Sequence, residues 1–255
     1  MADPTCVAFV PARAGSKRVP GKNIRVLAGH PVIAYTIAPA LASGLFSSVI
    51  VSTDDEETAA IARHYGAEVP FLRPAELAGD TSPDIEWVEY TLRRLASEGR
   101  TFDAFALLRP TSPFRTPRLL HDAWAAFLAD RRADSLRAVE KCSQHPGKMW
   151  VVRHNRLLPL MPFGPETQPW HSSQYSTLPL VYVQNASLEI AWTRVVGDTR
   201  TIAGETILPF VTDPISGFDI NSRLDWTLAE SLVASGDAQL PAVSASPWSR
   251  HAELT

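Results

Sequence analysis

The sequence predicts an α/β fold in which a mostly parallel, Rossmann-like sheet is flanked by helices. Short apolar runs at residues 6–10, 48–52 and 103–108 are each followed by turn residues, as is typical of buried parallel strands. Helical patterns separate these runs, and repeated strand–helix–strand units favour parallel pairing with right-handed crossovers. The chain has 255 residues, 45% of them hydrophobic, so it is long enough to bury a large core.

Each predicted helix has a start or a stop signal. In the first, residues 32–43, Pro39 predicts a kink or an early end. The second, residues 56–65, is closed by the glycine that follows it. The third starts with Ser82 as its cap and Pro83 in the first position. The spacing of its apolar residues predicts a buried face made of Ile85, Val88, Leu92 and Leu95.

The first strand runs into a basic loop interrupted by glycine, PARAGSKRVPGKN. Gly15 and Gly21 allow the backbone to approach phosphate oxygens, while Arg13 and Lys22 supply positive charge. The spacing argues against a Walker A loop, because five residues instead of four separate the glycines and Asn23 stands where Ser or Thr is needed. No G-x-G-x-x-G occurs either. The loop therefore predicts a phosphate site, with an ordinary basic surface loop as the alternative.

Three further blocks follow that loop in the order STDDEETAAIARHYGAEVPFLRPAELAGDTS, LLRPTSPFRT and FDIN. Together the four blocks closely resemble the cytidylyltransferases that activate sialic acid and related nine-carbon 2-keto sugar acids as CMP-sugars, and they span residues 7 to about 233. The resemblance implies a nucleotidyltransferase-type fold. It also implies transfer of CMP from CTP to the anomeric hydroxyl of the sugar acid, with release of pyrophosphate and with Mg²⁺ as cofactor.

Two alternatives share parts of this pattern. A cytidylyltransferase for legionaminic, pseudaminic or octulosonic acid would use the same nucleotide motifs. The second alternative is a CTP-binding homologue without turnover. Asn221 stands where the sialic acid enzymes often carry a second aspartate, which would weaken the metal site. On every enzymatic reading the ligands are CTP and a 2-keto sugar acid, and the resemblance implies a homodimer.

The resemblance places CTP over residues 11–23. Arg13 and Lys22 are expected to act on the phosphates and, with Asp219, to be the catalytic residues. By resemblance Arg73 reaches the cytosine base, whose acceptors suit a fork of N–H donors, and an exposed surface ion pair is the alternative. The expected nucleotide-binding residues are Pro11, Ala12, Arg13, Gly15, Ser16, Lys22, Asn23, Arg73 and Ser82.

Four acidic residues, 54–57, follow the second strand run. They suit a metal or ribose hydroxyls, but acids at the first turn of a helix also complement its dipole. We favour the structural role.

The LLRPTSPFRT block bears on the sugar. Arg109 stands where we expect glutamine in sialic acid enzymes, and its guanidinium suits bidentate binding of the sugar carboxylate. The alternative is that it holds main-chain carbonyls of the neighbouring loop, and Arg115 is predicted to be structural. In the segment YVQNASLEI, Gln184 and Asn185 suit an N-acyl group or hydroxyls of the sugar. The alternative is that they form the polar face of a strand. The expected substrate-binding residues are Arg109, Thr111, Ser112, Gln184 and Asn185.

The GFDINSRLDW block provides the expected magnesium site. Magnesium that bridges nucleotide phosphates needs one or two carboxylates from the protein. Asp219 is the best candidate, and Asn221 is the second expected ligand, through its carbonyl oxygen or through water. Asp225 is an alternative ligand, but Ser222 and Asp225 also form an S-x-x-D cap for a helix over residues 224–233, which we favour.

The chain is predicted to divide into four stretches. Residues 1–139 form the nucleotide-binding part of the α/β domain, to which residues 196–240 return with the metal-site aspartate. Residues 140–195 are rich in proline and in short β-like runs, which predicts an inserted, extended lobe. By resemblance this lobe forms the dimer and covers the partner's sugar site, and a local core is the alternative. Residues 241–255 are predicted to be a weakly structured tail.

Composition argues against several other classes. A net charge of −3 gives no electrostatic case for nucleic-acid or membrane binding. Cys6 and Cys142 lack metal-type spacing and are expected to be free thiols. No apolar signal core and no membrane-length apolar run is present, so we expect a cytoplasmic protein.

Overall fold

The computed structural model describes residues 3–15 and 19–249. Within these residues the strands are β1 Cys6–Pro11, β2 Val26–Leu27, β3 His30–Pro31, β4 Ser48–Ser52, β5 Ala104–Leu107, β6 Ser135–Lys141, β7 Trp150–Arg153, β8 Arg156–Pro159, β9 Tyr182–Trp192 and β10 Ile207–Val211. The helices are α1 Ala34–Ser43, α2 Glu56–His64, α3 Asp84–Ser97, α4 Pro117–Ala129, α5 Arg194–Asp198 and α6 Arg223–Ser235.

A six-stranded sheet in the order β10–β6–β9–β5–β1–β4 forms the centre of the fold. β1 pairs in parallel with both β4 and β5, and β10 pairs in parallel with β6. β9 is antiparallel to its neighbours β5 and β6. The mostly parallel sheet predicted from the apolar runs is therefore confirmed.

Helices cover both faces of this sheet, which explains why its strands read as continuous apolar runs. Along β1, Val7 and Phe9 pack on one side and Ala8 and Val10 on the other, as the two-residue period of a strand requires. Side chains from α1, α2 and α4 pack on the second side, and those from α3 and α5 on the first. Within the described residues, no helix is both long enough and apolar enough to cross a bilayer.

Two details of the predicted helices are corrected. α3 begins at Asp84 after Pro83, which provides no side-chain cap, whereas the Ser82 hydroxyl donates to the Glu76 carbonyl oxygen at 3.3 Å. Ser82 is thus not the cap, because Pro83 occupies the N-cap position and Ser82 lies one residue before it. Pro39 lies inside α1, which continues to its predicted end.

The inner face of α3 also differs from its prediction. Val88 and Leu95 are buried as expected, but Ile85 and Leu92 are only partly buried. Trp87 takes the central place in the contact with the sheet, where its ring packs edge-on against Phe9.

The predicted lobe, residues 140–195, extends too far along the chain. β9 occupies the centre of the main sheet, so the segment outside that sheet is residues 142–181, with β7 and β8 paired as a hairpin. The error arose because β9 follows a proline-rich stretch and carries polar residues at its start. Its second half is buried between β5 and β6, as only the folded sheet reveals.

The predicted weakly structured tail is also corrected, for residues 241–249. Val243, Ala245 and Trp248 pack against the main core. The Trp248 backbone N–H donates to the Tyr65 hydroxyl at 3.0 Å, and His64 Nε2 lies 2.8 Å from the Ser246 carbonyl oxygen. The last six residues of the tail lie outside the described part of the chain.

Candidate active site

A cleft of about 470 Å³ opens beyond the carboxyl ends of β1 and β5. These strands are parallel neighbours, so the loops that follow them meet at one edge of the sheet, where ligands of open α/β sheets bind. The residues that line the cleft are Pro11, Arg13, Lys22, Asn23, Arg73, Leu77, Gly79, Asp80, Ser82, Asp84, Trp87, Arg109, Pro110 and Thr111.

Eight of the residues expected at the site line this cleft, namely Pro11, Arg13, Lys22, Asn23, Arg73, Ser82, Arg109 and Thr111. Asp80, Asp84 and Trp87 also line the cleft and were not predicted from the sequence. Asp84 carried only the signal of an acid in the first turn of a helix. Its contact with Arg109 joins residues far apart in the chain, and local patterns do not report such contacts.

The basic loop after β1 is fastened at both ends. The Ala14 backbone N–H donates to Asp54 Oδ1 at 2.9 Å, and Asn23 Nδ2 donates to the Arg13 carbonyl oxygen at 3.4 Å. Arg13 Nη1 pairs with Asp80 Oδ1 at 2.7 Å. Lys22 Nζ lies 3.4 Å from the carbonyl oxygen of Ile220. The loop therefore brings two cationic side chains into contact with the other walls of the site.

The two glycines of the loop differ in their local need for glycine. Gly21 has a φ of 63°, a backbone conformation that residues other than glycine rarely adopt. A Cβ on Gly15 would lie 3.6 Å from Arg13 Nη1, an ordinary contact, so this structure places no steric demand there. Ala12 is buried behind the loop and donates its N–H to the Ser52 carbonyl oxygen. Ser16 lies outside the described residues.

The acids after β4 have structural contacts, in line with the reading that we favoured. Asp55 is the N-cap of α2, where its Oδ2 accepts from the Thr58 backbone N–H at 2.7 Å. Asp54 holds the basic loop through Ala14. Glu56 and Glu57 lie in the first helical turn, where negative charge complements the helix dipole.

Arg73 is buried at the end of β4, so the alternative of an exposed surface ion pair is wrong. Its Nε donates to Ser52 Oγ and its Nη2 to the Ser52 carbonyl oxygen, both at 3.0 Å. The guanidinium lies over the ring of Trp87, 4.5 Å from the centroid. Burial lowers the pKa of Arg73 to about 10, against the opposing attraction of Asp84 and Asp54.

Arg109 is held by two carboxylates. Its Nη2 donates to Asp84 Oδ2 at 2.6 Å and to Glu189 Oε1 at 3.2 Å. Asp84 Oδ1 accepts from Trp87 Nε1 at 2.8 Å. Burial opposes ionisation of Asp84, but the charge of Arg109 and these hydrogen bonds together outweigh burial and lower its pKa. Burial likewise acts to lower the pKa of Arg109, and the two carboxylates reverse that effect and raise it.

Arg115 is fully buried and has structural contacts, as predicted. It donates to the carbonyl oxygens of Ser187 and Arg109 and to Thr36 Oγ1. It is therefore Arg115 that holds the loop after β5 through main-chain carbonyls, the role considered above as an alternative for Arg109. Ser112 is also fully buried, does not line the cleft, and its Oγ has no hydrogen-bond partner in the described part of the chain.

The FDIN segment adjoins both loops of the cleft. The Ile220 backbone N–H donates to the Thr111 carbonyl oxygen at 2.9 Å, and the Ile220 carbonyl oxygen faces Lys22. Asp219 Oδ2 accepts from Asn221 Nδ2 at 2.5 Å. Asp219 Oδ1 is buried and, among residues 3–15 and 19–249, has no hydrogen-bond partner. Because it is buried, unpaired and next to the basic loop, this carboxylate oxygen of Asp219 suits a cation.

The other acid of this segment, Asp225, caps a helix. Asp225 forms a capping box with Ser222 at the start of α6, and its Oδ2 also accepts from the Asn221 backbone N–H at 2.9 Å. The capping prediction is confirmed. Across the described ranges, no group of three or more His, Cys, Asp or Glu side chains is arranged to hold a metal ion.

The polar pair at the start of β9 does not reach the cleft. Gln184 is exposed, and its Oε1 accepts from Arg137 Nη1 at 2.6 Å. Asn185 is buried, and its Nδ2 donates to Thr212 Oγ1 at 2.8 Å while its Oδ1 accepts from the Ser187 backbone N–H. Their expected contact with substrate thus stays a prediction.

The sheet, with the cleft beyond its strand ends, is an α/β fold of the nucleotidyltransferase type. A family model described as cytidylyltransferase matches residues 7–96. CMP-N,N'-diacetyllegionaminic acid synthase of Legionella pneumophila is 36% identical over 230 residues, which cover 89% of this chain and 95% of the relative. The chain therefore belongs to the cytidylyltransferase family, as its motifs predicted.

Other relatives and solved structures agree with this membership. N-acylneuraminate cytidylyltransferase of Escherichia coli is 34% identical over 88% of this chain and 51% of its own length. The structure of CMP:2-keto-3-deoxy-manno-octonic acid synthetase complexed with CTP superposes with a TM-score of 0.65 over 91% of this chain and 99% of its own, at 16% identity. 4-Diphosphocytidyl-2C-methyl-D-erythritol synthase from Anaerococcus prevotii gives 0.58 over 91% and 99%, at 12% identity. At such low identity these structures support the fold alone.

Proposed function

We propose that this chain transfers CMP from CTP to the anomeric hydroxyl of a nine-carbon 2-keto sugar acid and releases pyrophosphate. The observation that carries the proposal is the cleft itself. The basic loop, the buried Arg73 and Arg109 meet there beyond the strand ends. The relatives that match most of this chain carry names of the same reaction class, a legionaminic acid synthase and an N-acylneuraminate cytidylyltransferase.

In the proposed reaction the anomeric oxygen forms a bond to the α-phosphorus of CTP. The bond from that phosphorus to the bridging oxygen breaks, and pyrophosphate leaves with the electron pair. The hydroxyl proton passes to solvent. Such transfers depend on in-line positioning and on charge neutralisation, and positioning alone supplies up to roughly 7–11 kcal/mol.

The basic loop takes the triphosphate in this proposal. Arg13 and Lys22 bind phosphate oxygens and neutralise charge as pyrophosphate departs. Arg73, fixed by two hydrogen bonds to Ser52, presents its remaining donor side to the base. Asn23 lines this cleft and also a smaller pocket beside the basic loop.

Magnesium fits the residues present. Asp219 would hold it through its unpaired Oδ1, with Asn221 as the adjacent polar group and phosphate oxygens as the other ligands. When bound, the ion would neutralise phosphate charge. Between Asp219 and Asn221, Ile220 donates one hydrogen bond to the loop after β5 and accepts one from Lys22, which fixes the segment in place.

We also propose a cytoplasmic homodimer that forms through the hairpin of β7 and β8. Val152 and Leu157 are cross-strand partners on one face of this hairpin, and they are 70% and 60% exposed. Exposed apolar patches mark association surfaces. Leu157→Glu should give a monomer in light scattering. Leu224→Glu, at a leucine that is 77% exposed on α6, is the matched control and should leave the dimer intact. A dimer that survives Leu157→Glu contradicts this surface.

Pyrophosphate release with CTP and a panel of 2-keto sugar acids tests the function. Release with CTP and one of these acids, and formation of a CMP-linked product, is the expected result. Bound CTP without release for any acid would favour a nucleotide-binding protein without turnover.

Asp219→Asn tests the metal role. We expect turnover to be lost while CTP binding, measured by calorimetry without metal, is retained. Asp122→Asn removes one carboxylate from the exposed face of α4 and is the matched control. Full activity of the Asp219→Asn variant would contradict the proposed magnesium ligand.

A further inference from the structure

Four charged side chains form a connected network at the wall of the cleft. Arg109 contacts Asp84 and Glu189, and Glu189 Oε2 contacts Arg137 Nη2 at 3.1 Å. Glu189 is almost completely buried, whereas Asp84 and Arg109 also line the cleft. The two carboxylates balance the two guanidinium groups, so the network brings no net charge to the site.

This geometry corrects the predicted use of Arg109. A guanidinium binds a carboxylate bidentately either through Nε and Nη2 or through Nη1 and Nη2. Both arrangements need Nη2, and Asp84 and Glu189 accept its two hydrogens. Arg109 is thus not placed to grip the sugar carboxylate with two hydrogen bonds. Its Nε and Nη1 have no hydrogen-bond partner among residues 3–15 and 19–249, and they supply single donors.

Stability does not account for such a network. Removing charges from water is costly, and buried ion pairs are often no more stabilising than apolar side chains of the same volume. The benefit of the network is geometric, because it fixes the Arg109 side chain, which has many rotamers, in one position. In the cleft, that position decides which substituent of a substrate meets the donors of Arg109.

Resting on the proposed function, we propose that Asp84 and Glu189 are positioning residues for Arg109 and that Arg109, so held, selects the sugar acid by donating to an uncharged oxygen acceptor. An amide carbonyl or a hydroxyl oxygen meets this description. The carboxylate that all these acids share does not.

The test compares variants by the KM for the sugar acid, by kcat, and by the dissociation constant of CTP measured without sugar. Asp84→Asn has a single acceptor oxygen, so it cannot serve both Arg109 and Trp87 Nε1. We expect its KM for the sugar acid to rise about tenfold or more, with CTP binding changed by less than about twofold. Glu86→Gln makes the same charge change in the same helical turn, at an exposed position that does not line the cleft, and should behave as wild type.

A double variant isolates the positioning role. Without Arg109, Asp84 has nothing to position, so Asp84→Asn combined with Arg109→Gln should be no worse than Arg109→Gln alone. Independent, multiplying effects of the two changes would overturn the proposal, as would equal losses in sugar KM and in CTP affinity. If Asp84→Asn fails to fold, Glu189→Gln, which weakens the longer contact, provides the same comparison.

A panel of sugar acids tests what Arg109 recognises. The acids share the carboxylate and differ in their N-acyl or hydroxyl substituents. Arg109→Gln should change the order of kcat/KM within the panel, and a uniform fall for every acid would mean that Arg109 binds the carboxylate, which overturns the inference. Failure of the proposed function is distinct, because wild type would then bind CTP and release no pyrophosphate with any acid, and the inference would fall with it.

Discussion

Replacing Arg115 with methionine should strongly destabilise the fold. Arg115 is fully buried, and it donates to the carbonyl oxygens of Ser187 at 2.5 Å and Arg109 at 3.1 Å and to Thr36 Oγ1 at 3.1 Å. Arg115→Met removes a charged donor from all three acceptors, and a hydrogen bond to a charged group contributes about 1.5–3 kcal/mol. Removing a buried charge offsets part of the loss, since burial already lowers the pKa of Arg115 to about 9 against the attraction of Asp219.

We therefore expect a loss of about 3–5 kcal/mol in the free energy of unfolding, the range observed when one partner of a buried charged set is removed. Urea denaturation followed by circular dichroism measures it. Thr36→Val removes one of the three contacts and should cost about 1 kcal/mol. A loss below about 1 kcal/mol for Arg115→Met would refute the reasoning, because the carbonyls would then have found other donors.

Three further predictions follow from the contacts of single residues. Asp225→Ala removes the capping box of α6 and should cost about 1 kcal/mol in urea denaturation, while the magnesium dependence of pyrophosphate release stays unchanged. Cys6, buried and with its pKa raised by burial, should resist thiol reagents in a Cys142→Ser chain until denaturant is added, as mass spectrometry would detect. Because its pKa lies below the ordinary value, ionised Asp84 should stabilise the fold relative to Asp84→Asn at neutral pH. This advantage should start to fall as the pH drops below about 4 and should be lost once the pH is below the lowered pKa of the folded state, so an advantage that does not fall with pH would contradict the Arg109 pair.

Local patterns in the sequence predicted the elements that one segment can define alone. The apolar runs of β1, β4 and β5 and the stop at Gly66 depend on neighbouring residues, and the structure contains each of them. β9 was misplaced because its membership of the sheet depends on pairing with β5 and β6 across long stretches of chain. A strand that joins a sheet from within a proline-rich insertion has no local signature of its partners.

The site was predicted in the same uneven way. Residue types and spacing identified the basic loop and Asp219, since phosphates and cations need charges that can be read directly from the sequence. The partners of those charges were not predictable. Asp80 and Asp84 lie 67 and 25 residues away from the arginines that they contact, so only folding brings them together.

These partners give the two cleft arginines different roles. Arg13 and Asp80 form a single contact between side chains that are 33% and 38% exposed, and exposed pairs contribute only about 0–1 kcal/mol. A triphosphate, with several charged oxygens, should therefore displace Asp80 from Arg13 with little loss. Arg109 has two carboxylate partners, and releasing it would leave the almost completely buried Glu189 with one guanidinium partner instead of two. Binding of CTP as proposed should thus move the Arg13 side chain and leave the position of Arg109 unchanged.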